Sequence, residues 1–372
     1  MRRFVLYILI ALSLSASARD IVVLDSIDSS PVTGATAFDS NGTIIGLSDA
    51  AGKLTGIPGS AFPLTLRCLG YASLATPAAD TVRLAPVAYP LRELTVIPGG
   101  RPVTRLVCYV REYGSGSTST DTVRLQAEYM VDYFIAEGKA RGFSDKDSPR
   151  KLSQRIHIRH TDASGRDTSY TPDDDEGLSW LLLAKMSGGE TRAPQSVIDG
   201  APTDTVRGRS GYKTIYRRTP GLFTVTSDAL ADKKNHRMSP FIFKMLGFTI
   251  DINELVMSEA YAPNPTGVHT LSDLRYKTLG LRMLAKGKWI KKAFGTSEPI
   301  DMYGLIEIYP VETTRLTVDE ARELRSDPPL PPRHPSLPHN VTTAHKTKAG
   351  APIRAPLLVL WGYCGLIRCT WP

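Results

Sequence analysis

Residues 121–136 read DTVRLQAEYMVDYFIA, and the fold class turns on how this stretch is assigned. Val123, Leu125, Ala127, Tyr129, Val131, Tyr133 and Ile135 recur at every second position, the spacing that lines one face of a strand. Leu125, Tyr129 and Tyr133 also stand at i, i+4 and i+8, a helical stripe. The two-residue period runs longer, so a long strand is expected. Upstream, Leu106, Cys108 and Val110 alternate with Val107, Tyr109 and Arg111. Downstream, Ile156 and Ile158 alternate with Arg155, His157 and Arg159, and Asp162-Ala163-Ser164-Gly165 reads as a turn.

The same pattern extends through most of the second half of the chain. Strands are expected at 212–216 and 222–225 around Thr219-Pro220-Gly221, and at 274–286 and 301–309. Residues 178–186 look helical, and the apolar run 241–255 is read as a buried helix. Thr317 with Glu320 three residues on is a capping box that starts a short helix. Residues 103–327 are therefore expected to form a β-rich α+β domain built on a curved antiparallel sheet.

Residues 20–97 carry shorter strands. Apolar runs at 21–24, 35–38, 43–47, 64–69, 81–84 and 94–97 are separated by turn signals such as Ser40-Asn41-Gly42 and Asp49-Ala50-Ala51-Gly52. This spacing predicts a small antiparallel sandwich. Four elements occur in order: Pro31-Val32-Thr33-Gly34-Ala35, then Gly46 through Asp49 to Gly52-Lys53-Leu54, then Leu69-Gly70-Tyr71, then Leu91-Arg92-Glu93-Leu94-Thr95-Val96. With Ser30 where Gly is usual and Leu54 where an aromatic is usual, the segment resembles the carboxypeptidase-regulatory-like domain. That family is a transthyretin-like sandwich common in exported Bacteroidetes proteins. The resemblance implies an accessory module, with Gly34, Gly52, Gly70 and Tyr71 structural, and a setting in the periplasm or outer-membrane periphery.

The flanks are different in kind. Residues 1–18, MRRFVLYILIALSLSASA, have a basic start, a short apolar run and a small-residue cleavage site, so they read as a secretory leader with Arg19 opening the mature chain. Pro98-Gly99-Gly100-Arg101-Pro102 reads as a linker between the 19–97 and 103–327 domains. Residues 328–372 hold nine Pro and no acid, and are expected to be a disordered basic tail.

Of the 372 residues, 42% are hydrophobic and 22% charged, which argues against disorder throughout. The net charge of +8 is unevenly placed. Arg2 and Arg3 sit in the leader, and Arg333, Lys346, Lys348, Arg354 and Arg368 in the tail, leaving 38 basic against 37 acidic groups in residues 19–327. The folded part is near neutral, so nucleic acid is not an expected partner. An envelope protein, a glycan or a lipid is, and peripheral membrane contact is compatible with the tail and with Lys286-Gly287-Lys288-Trp289-Ile290-Lys291-Lys292.

No catalytic, cofactor-binding or metal-ligating residue is assigned, and no cofactor is expected. None of the seven His begins H-x-x-E or H-E-x-x-H, and no Gly-x-Ser-x-Gly occurs. His157 and His160, three apart on a strand, would point to opposite faces. Cys68, Cys108, Cys364 and Cys369 lack zinc-site spacing and leave three disulfide pairings open, with Cys68 expected to be buried. Asp173-Asp174-Asp175-Glu176 reads as a solvated acidic loop. The leading expectation is a non-enzymatic binding or assembly protein of the cell envelope. One alternative is a periplasmic lipid-handling or outer-membrane-associated domain whose long curved strands wrap an apolar cavity. Another is a hydrolase assembling Glu112, Asp132, Asp162 and His157 from distant positions.

Overall fold

A computed structural model describes residues 18–68, 70–87, 100–136, 143, 149–171, 186, 189–208, 213–219, 221–231, 248–288 and 296–326. The leader up to residue 17, the expected closing strand 91–96, the acidic run 173–176, all of 178–186 except Met186, and the tail lie outside these. The described residues form two compact units, one within 18–87 and one within 100–326.

The first unit holds seven strands: β1 (Ala18–Asp25), β2 (Thr36–Phe38), β3 (Ile44–Leu47), β4 (Lys53–Pro58), β5 (Leu64–Arg67), β6 (Leu74–Thr76) and β7 (Thr81–Leu84). They make two sheets, ordered β4-β1-β7 and β3-β2-β5-β6. Both sheets feed one core: Ile21, Val23, Leu54, Ile57, Val82 and Leu84 from the first, Ala37, Leu64 and Leu66 from the second. The sandwich is present, but β1 and β7 run parallel, so it is not wholly antiparallel as the sequence suggests. Residues 53–58 and 74–76 pair as strands that their short sequences do not announce. Cys68 is half-buried rather than buried, its Sγ 3.9 Å from the Thr33 carbonyl oxygen.

One sequence device closes three tight turns in the two units, two of them hairpins and the one at Asp49 a step between the two sheets of the sandwich. In Asp39–Thr43, Asp49–Lys53 and Asp162–Arg166 an Asp is followed three residues later by Gly. Each Asp Oδ1 accepts the amides two and four residues on, at 2.8–3.0 Å. Each Gly donates its amide to the Asp carbonyl and takes a positive φ of 72–79°. At Asn41-Gly42 only the glycine is left-handed, so this turn is not the two-residue type in which both central residues have positive φ. Gly52 is the constrained member, because a Cβ there would lie 2.5 Å from the Val23 carbonyl oxygen. Gly52→Ala is expected to cost on the order of 1–3 kcal/mol from backbone strain alone, read as a lowered urea midpoint.

The second unit is one ten-stranded antiparallel sheet with small additions. Its strands are β8 (Val103–Ser117), β9 (Thr122–Ala136), β10 (Arg150–Thr161), β11 (Asp167–Tyr170), β13 (Thr203–Arg207), β14 (Lys213–Thr219), β15 (Leu222–Asp228), β16 (Phe248–Tyr261), β18 (Leu274–Gly287) and β19 (Ile300–Leu316). Their order is β11-β10-β9-β8-β19-β18-β16-β15-β14-β13. A meander runs outward from β8 and a second returns to β19, so the first and last strands pair in the middle, from Val103↔Leu316 to Ser117↔Asp301. A separate two-residue pair joins β12 (Thr191–Arg192) to β17 (Val268–His269), with α1 (Gln195–Ile198) beside it. After β19 comes α2 (Val318–Ser326), opened by the expected capping box: Glu320 N donates to Thr317 Oγ1 at 3.2 Å and Thr317 N to Glu320 Oε2 at 2.8 Å.

Residues 122–136 are a strand, and its odd positions from Val123 to Ile135 share the inward face. Residues 248–255 overturn the expected helix by lying in β16. The cause is a bulge between Ile252 and Glu254, which leaves one extra residue in the strand. Ile250, Ile252, Leu255 and Met257 then face one way despite a three-residue step, and that step imitates helical spacing. Residues 241–247 lie outside the described residues.

Candidate functional site

The pleat of the sheet sorts side chains into two unlike faces. One face is apolar. It collects Leu106, Cys108 and Val110 from β8, the odd positions of β9, Ile156 and Ile158 from β10, Leu279, Leu281 and Met283 from β18, and Ile306 and Ile308 from β19. Phe223 of β15 and Ile250 of β16 extend the same cluster. Toward β14–β16 it continues through Tyr216, Val225, Ile252, Leu255 and Met257, which are only half-buried. The apolar surface thus runs from the sealed middle of the sheet to an accessible flank.

At that flank a polar nest is set into the apolar face. Lys277 Nζ of β18 lies 2.8 Å from Glu259 Oε1 of β16, with side-chain exposures of 7% and 24%. Tyr261 donates its hydroxyl to Glu259 Oε2 at 2.7 Å. The Thr191 hydroxyl, 3.1 Å from the Tyr261 oxygen, is then left as the donor to it. His269 of β17 stacks on Phe223 at 4.3 Å with planes 8° apart, and lies 5.4 Å from the Tyr261 ring. Phe223 also stacks on Tyr216 at 6.2 Å.

Electrostatics in the nest follow from burial and this one ion pair. Burial pushes the Glu259 carboxyl up, but the Lys277 charge, with hydrogen bonds from Lys277 and Tyr261, outweighs it and holds the pKa below its ordinary value. Burial, then the Glu259 charge, drive the Tyr261 phenol upward, so it stays a neutral donor. Burial lowers the His269 pKa, keeping the imidazole neutral. Because the folded Glu259 pKa is depressed, its contribution to stability is full above the unfolded carboxylate range and is lost as pH falls through the folded value. Glu259→Gln should therefore flatten the acid limb of the stability curve relative to the parent, measured by urea titration at stepped pH.

The opposite face is rich in tyrosine and ions. Arg111 of β8 sits directly across from Glu307 of β19, donating from Nε at 2.9 Å and Nη2 at 2.6 Å. The guanidinium also lies over the Tyr113 ring at 5.6 Å. Tyr109 donates to Glu128 at 2.8 Å and stands 6.2 Å from Tyr309. Arg282 bonds Asp301 and lies 4.7 Å above the Tyr303 ring.

The four residues weighed for a hydrolase are not brought together. Glu112 is fully buried on the apolar face, across from Ala127 and Ile306. Asp132 is buried on the other face, clamped by Arg105 and Arg150. Asp162 sits in its turn, where the Ser164 hydroxyl and then the Arg166 amide hold its carboxyl below the ordinary range. His157 is half-buried across from Gln126, while His160 lies opposite Val123 with Nε2 3.2 Å from Asp121 Oδ1, so the two histidines face opposite ways. Among the described residues no group of three or more His, Cys, Asp or Glu could hold a metal. Sequence reading missed Glu259, Tyr261, His269 and Lys277. The available signal was Glu259 and Lys277 breaking otherwise apolar strand faces.

No protein-family model matches this chain, and no curated protein does. Among solved structures, it is similar to a lipovitellin at 10% identity and TM-score 0.29, over 57% of this chain and 25% of that one. A Nitrosomonas europaea protein assigned to AttH shows 10% identity and TM-score 0.16, over 56% of this chain and 52% of that one. An S-type phycobiliprotein lyase from Guillardia theta shows 7% identity and TM-score 0.13, over 55% and 87%. This chain spans only a quarter of the first and about half of the second. At such TM-scores none of the three bears on the fold or the activity of this chain.

Proposed function

We propose that this chain is an exported, non-enzymatic cell-envelope protein with a binding or assembly role. The 19–97 sandwich serves as an accessory module of carboxypeptidase-regulatory-like type, and the ten-stranded sheet is the binding body. The leader-like residues 1–18 and the four ordered elements of the sandwich support export and the envelope setting. Among binding roles, an apolar or lipid ligand is favoured. The observation that carries this is the continuous apolar face, ending in half-buried Tyr216, Val225, Leu255 and Met257 beside the Glu259–Lys277–Tyr261 nest. Pockets for small molecules pair an apolar lining with a few fixed polar groups, and that is the composition of this flank.

The test is a titration of the purified mature chain with a fluorescent fatty-acid probe, alongside Leu255→Asp and Met257→Asp. Saturable binding that both substitutions weaken about tenfold or more supports the reading, since a charge on an apolar contact surface costs more than 1.4 kcal/mol. An absence of saturable binding in a folded parent overturns it. Edman sequencing of the envelope fraction should begin at Arg19, whereas an uncleaved chain confined to the cytoplasm would remove the export reading.

A further inference from the structure

β17 lies against the apolar face at its accessible flank. His269 stacks on Phe223, and Thr191, its partner in β12, reaches the Tyr261 hydroxyl. Phe223 and Tyr261 stand directly across from each other in β15 and β16, and both belong to the apolar cluster. His269 is 2% exposed, so its ring nitrogens must find their partners away from bulk water.

The hydrogen bonds around the ring fix what each nitrogen does. His269 is bonded to the backbone of Ala262. The Ala262 amide already donates to the Asp273 carbonyl at 2.8 Å, so here the Ala262 carbonyl accepts and the imidazole donates. Nδ1 has no hydrogen-bond partner among the described residues, which puts the donated proton on Nε2. In the neutral imidazole Nδ1 is then a bare acceptor. Its neighbours are otherwise engaged: Lys277 and Tyr261 hold the two Glu259 oxygens, and Thr191 donates to the Tyr261 oxygen. Native proteins rarely leave a buried acceptor of this kind without a donor.

Charge decides what kind of donor fits. Lys277 and Glu259 neutralise each other, and the Asp273 carboxylate is bound by the Thr270 amide at 2.8 Å and hydroxyl at 3.1 Å. An ionic head of either sign would enter without a counter-charge of its own. An ionised carboxylate also has no proton to offer Nδ1. We propose that the apolar ligand of this flank ends in an uncharged hydroxyl, which donates to His269 Nδ1 while its chain lies on the half-buried apolar side chains. This rests on the reading of the flank as an apolar-ligand site, and it names the head group that the site selects.

The test is displacement of phenylnaphthylamine, an uncharged apolar fluorophore, from the mature full chain by four probes of equal chain length: dodecanol, methyl dodecanoate, dodecanoate and dodecylamine. Dodecanol should displace at roughly tenfold lower concentration than the methyl ester, which lacks only the donor, and should also outrank both ions. In His269→Phe, whose ring can keep the stack on Phe223, the ratio of the alcohol and ester constants should fall to about one. Nitrogen NMR of the parent imidazole gives a readout that needs no variant: dodecanol should move the Nδ1 resonance further than the ester does. A fluorophore that does not bind the folded parent overturns the apolar-ligand reading and this inference with it. Binding in which the ester or either ion matches or outranks the alcohol overturns this inference alone, as does an Nδ1 resonance that dodecanol leaves unmoved.

Discussion

Asp132→Ala is expected to lower the unfolding free energy by about 3–5 kcal/mol, the cost of stranding buried cationic partners. The Asp132 carboxylate has no exposed surface, and both arginines that hold it are about four-fifths buried. Arg105 donates to Oδ2 from Nε at 3.2 Å and from Nη2 at 3.1 Å. Arg150 donates to Oδ1 at 3.0 Å and to Oδ2 at 2.6 Å, and its Nη1 reaches the Leu324 carbonyl of α2 at 2.7 Å. One carboxylate thus ties β8, β9 and β10 to the end of the helix, where a cation also meets the unsatisfied carbonyls. Losing Asp132 should shift the urea midpoint of the second unit and loosen α2 together. A shift within ±0.5 kcal/mol, as at an ordinary surface site, would refute this role.

The Arg111–Glu307 pair is the second large effect. It joins the first and last strands of the sheet, which lie 196 residues apart in sequence, and its side chains are 2% and 5% exposed. Arg111→Met or Glu307→Leu alone should each cost about 3–5 kcal/mol, because each leaves an uncompensated buried charge. The double variant should be far less impaired than the sum, and close to neutral if the apolar pair packs as well as the ions did. Strict additivity across the cycle would mean that the two groups do not act as a pair.

Much of the architecture is readable from residue spacing, and the misses have specific causes. The strict alternation of 123–135 survives as β9 because its pairing with β8 carries no bulge over the whole length. The Asp-x-x-Gly turns at 39, 49 and 162 are legible because side chain and glycine act within five residues. β16 was illegible because its bulge resets the two-residue period in mid-strand. The parallel β1–β7 pair depends on residues about 60 apart, which no local pattern encodes. The nest was hidden for the same reason: Thr191, Glu259, Tyr261, His269 and Lys277 come from four strands, and only the sheet order brings them to one flank. Glu112, Asp132, Asp162 and His157 look like a constellation in sequence, but the pleat separates Glu112 from Asp132 and the turn at Asp162 occupies its carboxylate.

Native mass spectrometry of the mature chain, purified from the envelope fraction without detergent, asks whether the ten-stranded sheet carries an apolar ligand. A population carrying added mass equal to a lipid or another apolar molecule is expected. That population should be depleted in Leu255→Asp and Met257→Asp while the fold, followed by circular dichroism, is retained. A folded parent with only the bare polypeptide mass, which also fails to take up added lipid, would contradict it.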